Sequence, residues 1–205
     1  IVAAAPNVNF VTDGTVLFVS EQLNLDATIN AGTGNIAFVA ASDVNVTFTP
    51  GSPLSYALNA GTTVAEQSIG GSLTGNSIDV QMLTARGVVG ALLQVDATLN
   101  ATNALHTDTG IRLFANQVDS ASVTVEIDGG ISTTGVIDLR TDGSLTATSA
   151  MSGSRVLINA TTGITRLVYR RELNAPGQFQ ISTTGTLGAL STFADKDQVL
   201  RHEKK

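Results

Sequence analysis

At 205 residues, with 42% apolar and 14% charged residues, the chain is long enough to bury a core as one domain and too apolar to be a disordered tail. Its net charge of −6 and pI near 4.7 oppose phosphate binding over most of the surface and exclude a general nucleic-acid binder. The absence of cysteine excludes a disulfide framework and a thiolate metal site, and no run reaches the roughly 18 apolar residues of a membrane span.

Residues 1–6, IVAAAP, are apolar but too short for a signal-peptide core. A start without Met reads either as a processed N-terminus or as a boundary within a longer chain. From there the alternation of apolar and polar residues predicts strands over 15–19, 24–29, 35–39, 44–48, 78–81, 122–127, 136–139, 144–148 and 178–181. In 122–127, for example, Val123, Val125 and Ile127 share one face and Ser122, Thr124 and Glu126 the other. The breaks carry Asp13-Gly14, Gly32-Thr33-Gly34, Gly70-Gly71, Asp128-Gly129-Gly130 and Asp142-Gly143, residues that supply positive φ or local side-chain hydrogen bonds. No helical period of ten or more residues is present.

The strands are led by a recurring phrase: GTVLFV at Gly14, GNIAFV at Gly34, GNSIDVQ at Gly75, GIRLFAN at Gly110, GVIDLR at Gly135, GSRVLINA at Gly153 and GQFQIST at Gly177. Two runs without a leading Gly, LSYALNA from Leu54 and LLQVDATL from Leu92, fill the wider gaps and bring the count to nine, about 20 residues apart. No such unit can bury its apolar side chains alone, but stacked copies can. The expected fold is therefore all-β: a single-domain right-handed parallel β-helix (solenoid) of about nine coils over residues 1–194, with 195–205 as a charged C-terminal tail or cap. A β-sandwich or barrel also suits many short strands, but neither shows a self-similar unit.

The G-N/T-I-x-apolar phrases, with LNLDATINAG, SDVNVTF and GSLTATSA between them, resemble the shaft repeats of filamentous-haemagglutinin-type adhesins, from about Asn9 to Leu190. The resemblance is one of texture and period. It implies a secreted parallel β-helix with a passive structural role, extracellular or at the cell surface.

Charge is ordered along the chain. Residues 1–85 hold six acids and no Lys or Arg, residues 86–154 have a net charge of −4, and residues 155–205 a net charge of +4. In a solenoid, sequence position maps onto axial position, so the rod would have an acidic and a basic end. Opposite ends would steer copies head to tail, with Ile1, Val2, Phe10, Arg166, Arg170 and Arg171 as candidate assembly contacts. The blander reading makes 195–205 a solvated cap and Arg170-Arg171 a loop decoration.

Chemistry is sparse. His106 and His202 are far apart, which leaves no metal site, and Gly32-Thr33-Gly34 lacks the following helix that a phosphate-binding turn requires. No catalytic, cofactor-binding or metal-binding residue is assigned. A polysaccharide lyase or hydrolase is the enzyme alternative, with Asp119, Asp138 and Asp142 as carboxylates that neighbouring coils could converge; the competing reading is that they are solvated turn acids. The expected function is non-enzymatic: the shaft segment of an adhesin, or else a self-assembling fibre or surface-layer subunit. The expected partners are a second copy of the chain or a host-surface glycan or protein, with no nucleic acid and no membrane span.

Overall fold

The structure is a computed structural model that describes residues 2–11, 14–47, 55–102, 109–119, 123–170, 178–183 and 186–193. The described chain is all-β, without a helix, and passes alternately through two parallel sheets, A and B. It begins with β1 (Val2–Val11) in sheet A, β2 (Val16–Ser20) in B, β3 (Asn24–Asn30) in A and β4 (Asn35–Ala40) in B. It then leaves both sheets for an antiparallel hairpin, β5 (Asp43–Thr47) and β6 (Ser55–Ala60). It rejoins with β7 (Glu66–Gly75) in A and β8 (Ser77–Thr84) in B. Three similar passages follow: β9 (Leu92–Val95) and β10 (Thr98–Ala101) in A with β11 (Thr109–Gln117) in B; β12 (Thr124–Ile127) and β13 (Ile131–Thr133) with β14 (Val136–Thr141); β15 (Ser144–Ala147) and β16 (Met151–Ser152) with β17 (Arg155–Ala160). Last come β18 (Gly163–Arg170) in A, β19 (Gln178–Ser182) in B and β20 (Thr186–Phe193) in A.

Sheet B keeps chain order, β2-β4-β8-β11-β14-β17-β19, and its seven strands are the seven Gly-led phrases. The count of nine is corrected here, because the two units without a leading Gly lie elsewhere. LSYALNA contains β6, in the antiparallel hairpin, and LLQVDATL forms β9 and β10 in sheet A. SDVNVTF likewise contains β5 of the hairpin rather than a strand of either parallel sheet.

Register explains the core. Ile36, Ile78, Ile111, Ile137 and Val156 pair in one row along sheet B, and Phe38, Val80, Leu113, Leu139 and Ile158 in another. All are buried, as expected where every strand repeats the same inward positions. Each such side chain contributes on the order of 1.5–3 kcal/mol by leaving water. Ile137 faces in and its neighbour Val136 is only half-buried, which settles which of the adjacent pair joins the core. Sheet A supplies the opposite wall, including Ile69, Leu73, Leu93, Leu99, Ile127 and Ile131.

Sheet A is creased at one recurring place. The amides of Asp96 and Ala97 both donate to the Ile69 carbonyl at 2.9 Å, and those of Asp128 and Gly129 to the Val95 carbonyl at 3.0 and 3.1 Å. The extra amide at each crease separates β9 from β10 and β12 from β13. β7 passes the crease unbroken because Gly71 adopts φ +88°, where a Cβ would strike the Ala27 backbone.

β4, NIAFVA, is buried on both faces. Ile36, Phe38 and Ala40 face the core; Ala37 and Val39 point outward and are buried all the same. The β5–β6 hairpin follows β4 directly and lies on that outer side, since its Tyr56 reaches Asp79, the β8 partner of Ala37. An apolar run without alternation is the mark of such a doubly covered strand.

Candidate functional site

Aligning the sheet B strands on Ile78, Ile111 and Ile137 places Asp79, Arg112 and Asp138 in one outward row and Gln81, Phe114 and Arg140 in the next. Each residue of a row lies about 4.8 Å from its neighbour on the adjacent strand. The result is a polar ladder on the outer face of β8, β11 and β14.

Its groups bind one another. Arg112 grips Asp79, with Nε 3.0 Å from Oδ1 and Nη2 on Oδ2. The Tyr56 hydroxyl, brought over by the hairpin, donates to the same Asp79 carboxylate, and Gln81 Nε2 lies 3.3 Å from it. Arg140 holds Asp138 in a two-pronged pair, Nε to Oδ1 at 2.9 Å and Nη2 to Oδ2 at 2.8 Å. Phe114 packs under both guanidiniums, which sit 5.3 Å (Arg112) and 4.9 Å (Arg140) from its ring centre. Burial, and then the Asp79 carboxylate, push the Tyr56 phenol far above its ordinary range, against the opposing effect of Arg112. The Arg112 guanidinium is raised too, chiefly by its hydrogen bonds to Asp79.

The sequence-selected acids are placed as follows. Asp119 is an exposed turn residue at φ +57°, with Arg86 at 3.9 Å. Asp138 is not a turn acid: it lies mid-strand, its side chain is 10% exposed, and it is fully engaged by Arg140. Asp142 is not simply solvated either. It accepts from the Gln117 amide at 2.5 Å and the Val123 amide at 3.3 Å, which holds the ends of the 118–122 connection. Asp138 lies within β14 and Asp142 just beyond its end, and Asp142 spends its carboxylate on the Gln117 and Val123 amides, so the two do not form a free pair of carboxyls such as glycoside hydrolysis requires. Asp79 and Asp138 are two strands apart, about 9.6 Å, but each carboxylate is taken by an arginine, Asp79 by Arg112 and Asp138 by Arg140. The sequence reading missed Tyr56, Asp79, Arg112 and Arg140; aligning its own repeats on the Ile positions would have found the last three.

Val2 and Phe10 lie on β1, paired with Asn24 and Ile29 of β3. Arg166 and Arg170 lie on β18, paired with Ala189 and Phe193 of β20. β1 is thus one edge of sheet A's chain-ordered stack, whereas β18 is one strand in from the other, with β20 beyond it. Ile1, Arg171, His106 and His202 fall outside the described residues.

Beside Arg140 a groove of about 310 Å³ opens across the ends of β11, β14 and β17. Asn116, Gln117, Arg140, Thr141, Asp142, Asn159 and Thr161 line it. Among the described residues no group of three His, Cys, Asp or Glu is arranged to hold a metal ion, and no helix is long and apolar enough to cross a membrane. Comparison with protein-family models, with curated proteins and with solved structures returned no match.

Proposed function

We propose that this chain is a right-handed parallel β-helix with a structural, non-enzymatic role, a shaft segment of a secreted or cell-surface adhesin. The observation that carries the reading is the register of sheet B, in which seven strands follow chain order and β4, β8, β11, β14 and β17 repeat the same inward positions. Return connections between parallel strands are right-handed in about 98% of cases, which supports the handedness. The engagement of Asp79, Asp138 and Asp142 by neighbouring groups favours a scaffold over a polysaccharide lyase or hydrolase, since a catalytic carboxylate needs a free face toward substrate. Proton–proton contacts in solution NMR should pair Ile78 with Ile111 and Ile111 with Ile137 as parallel, in-register neighbours. Antiparallel pairing of these strands, or release of reducing ends or unsaturated products from pectins, alginates or β-glucans, would overturn the proposal.

Head-to-tail assembly is the second reading, favoured by the charge order along the axis and by the edge strand β2, VLFVS, which carries no charge. Light scattering separates the two: a chain that stays monomeric at high concentration and low salt is a shaft segment and not a fibre subunit.

A further inference from the structure

We infer that the groove beside Arg140 is a saccharide subsite that takes one carboxylate-bearing sugar unit, a uronate, with the carboxylate on Arg140 and the hydroxyls on Asn116 and Asn159. The side chain of Arg140 is 52% exposed, yet it is fixed on two sides. Asp138 occupies its Nε and Nη2, and the Phe114 ring backs its plane. Nη1 donates to no described residue, and Arg140 lines the groove. A guanidinium held in place in this way loses little freedom when it meets an anion.

The rest of the lining separates into used and available groups. Gln117 Nε2 is bound to the carbonyls of Ala85 (2.9 Å) and Val88 (2.8 Å), Thr141 donates to the Val123 carbonyl, and Asp142 holds backbone amides. The side chains of Asn116 and Asn159 are exposed and hydrogen-bond to no described residue. Their carboxamides offer a donor and an acceptor each, which suits vicinal hydroxyls. At about 310 Å³ the groove stands at the small end of ligand clefts, roughly 300–1,000 Å³.

A peptide is the poorer occupant. β11, β14 and β17 are interior strands, so the groove has no free edge for strand addition. A free inorganic anion is also the poorer occupant, because it would meet Arg140 alone, beside Asp142 in an acidic chain, and leave the Asn116 and Asn159 carboxamides unused, whereas a uronate adds hydroxyls for both. The inference goes beyond the shaft role and does not depend on it.

Calorimetric titration and amide chemical shifts of the full chain test it, with two matched probes: cellobiouronate, a glucuronate linked to glucose, and cellobiose, which has a hydroxymethyl group in place of the carboxylate. The acidic disaccharide should bind about tenfold more tightly, one charge-assisted hydrogen bond's worth of selectivity, with shifts at Asn116 and Asn159. Asn159→Ala, at an exposed position, should weaken both probes several-fold, and Arg140→Lys, whose single ammonium cannot hold Asp138 and a ligand carboxylate as a fork does, should narrow the difference between them. Equal affinity for the two sugars, no saturable binding, binding unaffected by Asn159→Ala, or equal competition by a glutamate tripeptide would overturn the assignment. Strand pairing and sugar cleavage are read separately, so failure of the subsite and failure of the shaft proposal remain distinguishable.

Discussion

The Tyr56 hydroxyl donates to the Asp79 carboxylate, and this bond ties the inserted β5–β6 hairpin to the outer face of sheet B. Asp79 is also held by Arg112, so the hairpin is anchored to β8 and, through Arg112, to β11. Tyr56→Phe keeps the ring and removes the bond. It should cost about 1–2 kcal/mol in denaturant unfolding, with faster amide exchange confined to residues 43–60. Unchanged exchange in that segment would show that apolar contacts alone hold the hairpin.

Burial of the Tyr56 phenol, and then the Asp79 carboxylate beside it, set a pH dependence. The folded phenol is raised above its unfolded value, so its contribution to stability is complete below the unfolded tyrosine pKa, about 10, and is lost as pH rises beyond it. Wild-type stability should fall above about pH 10 more steeply than that of Tyr56→Phe, by thermal melts across that range. Parallel curves for the two chains would contradict the arrangement.

Asp142 and Asp119 look alike in the sequence, each next to a turn, and should behave differently. Asp142→Ala strips the acceptor from the Gln117 and Val123 amides and should cost about 1–3 kcal/mol, whereas Asp119→Ala, at an exposed site, should stay within about 0.5 kcal/mol. Equal effects in urea unfolding would mean that the Asp142 bonds are replaced by water without penalty.

The Gly-led phrases made sheet B legible because each Gly marks entry to a strand whose inward positions repeat. The hairpin was not legible in the same way, since DVNVT and SYALNA alternate just as a parallel strand does, and alternation carries no information on strand direction. Two signals did point to it: the doubled gap between Gly34 and Gly75, and the unalternating NIAFVA, which reads as a strand covered on both sides. The polar ladder escaped for another reason. Asp79, Arg112 and Asp138 are 33 and 26 residues apart, and only strand register makes them neighbours.

The core register can be tested at Ile36, which is fully buried and paired with Val16 and Ile78. Ile36→Asp places an unpaired charge among apolar rows and should cost several kcal/mol, roughly enough to unfold the chain at 25 °C. Val19→Asp, on the outward row of the edge strand and 39% exposed, is the control and should change the melting temperature little. Near-native stability of Ile36→Asp would mean that the strand is shifted by one residue, with its opposite face in the core.

The crease of sheet A offers the sharpest local contrast, at Gly129 and Gly130. A Cβ on Gly129 would overlap the Ala97 carbonyl of the preceding crease, a backbone atom that cannot rotate aside, whereas one on Gly130 would meet nothing within 4 Å. Neither residue has positive φ, so the difference is one of space and not of backbone strain. Gly129→Ala must push apart strands that are hydrogen-bonded through the Asp128 and Gly129 amides, and should cost about 1–3 kcal/mol, as overpacking does. Gly130→Ala restricts only the unfolded chain and should be neutral or add about 0.4–1 kcal/mol of stability. Thermal melts of the two single variants decide it. If Gly129→Ala is as stable as Gly130→Ala, successive creases are not stacked as closely as the shared Val95 carbonyl requires.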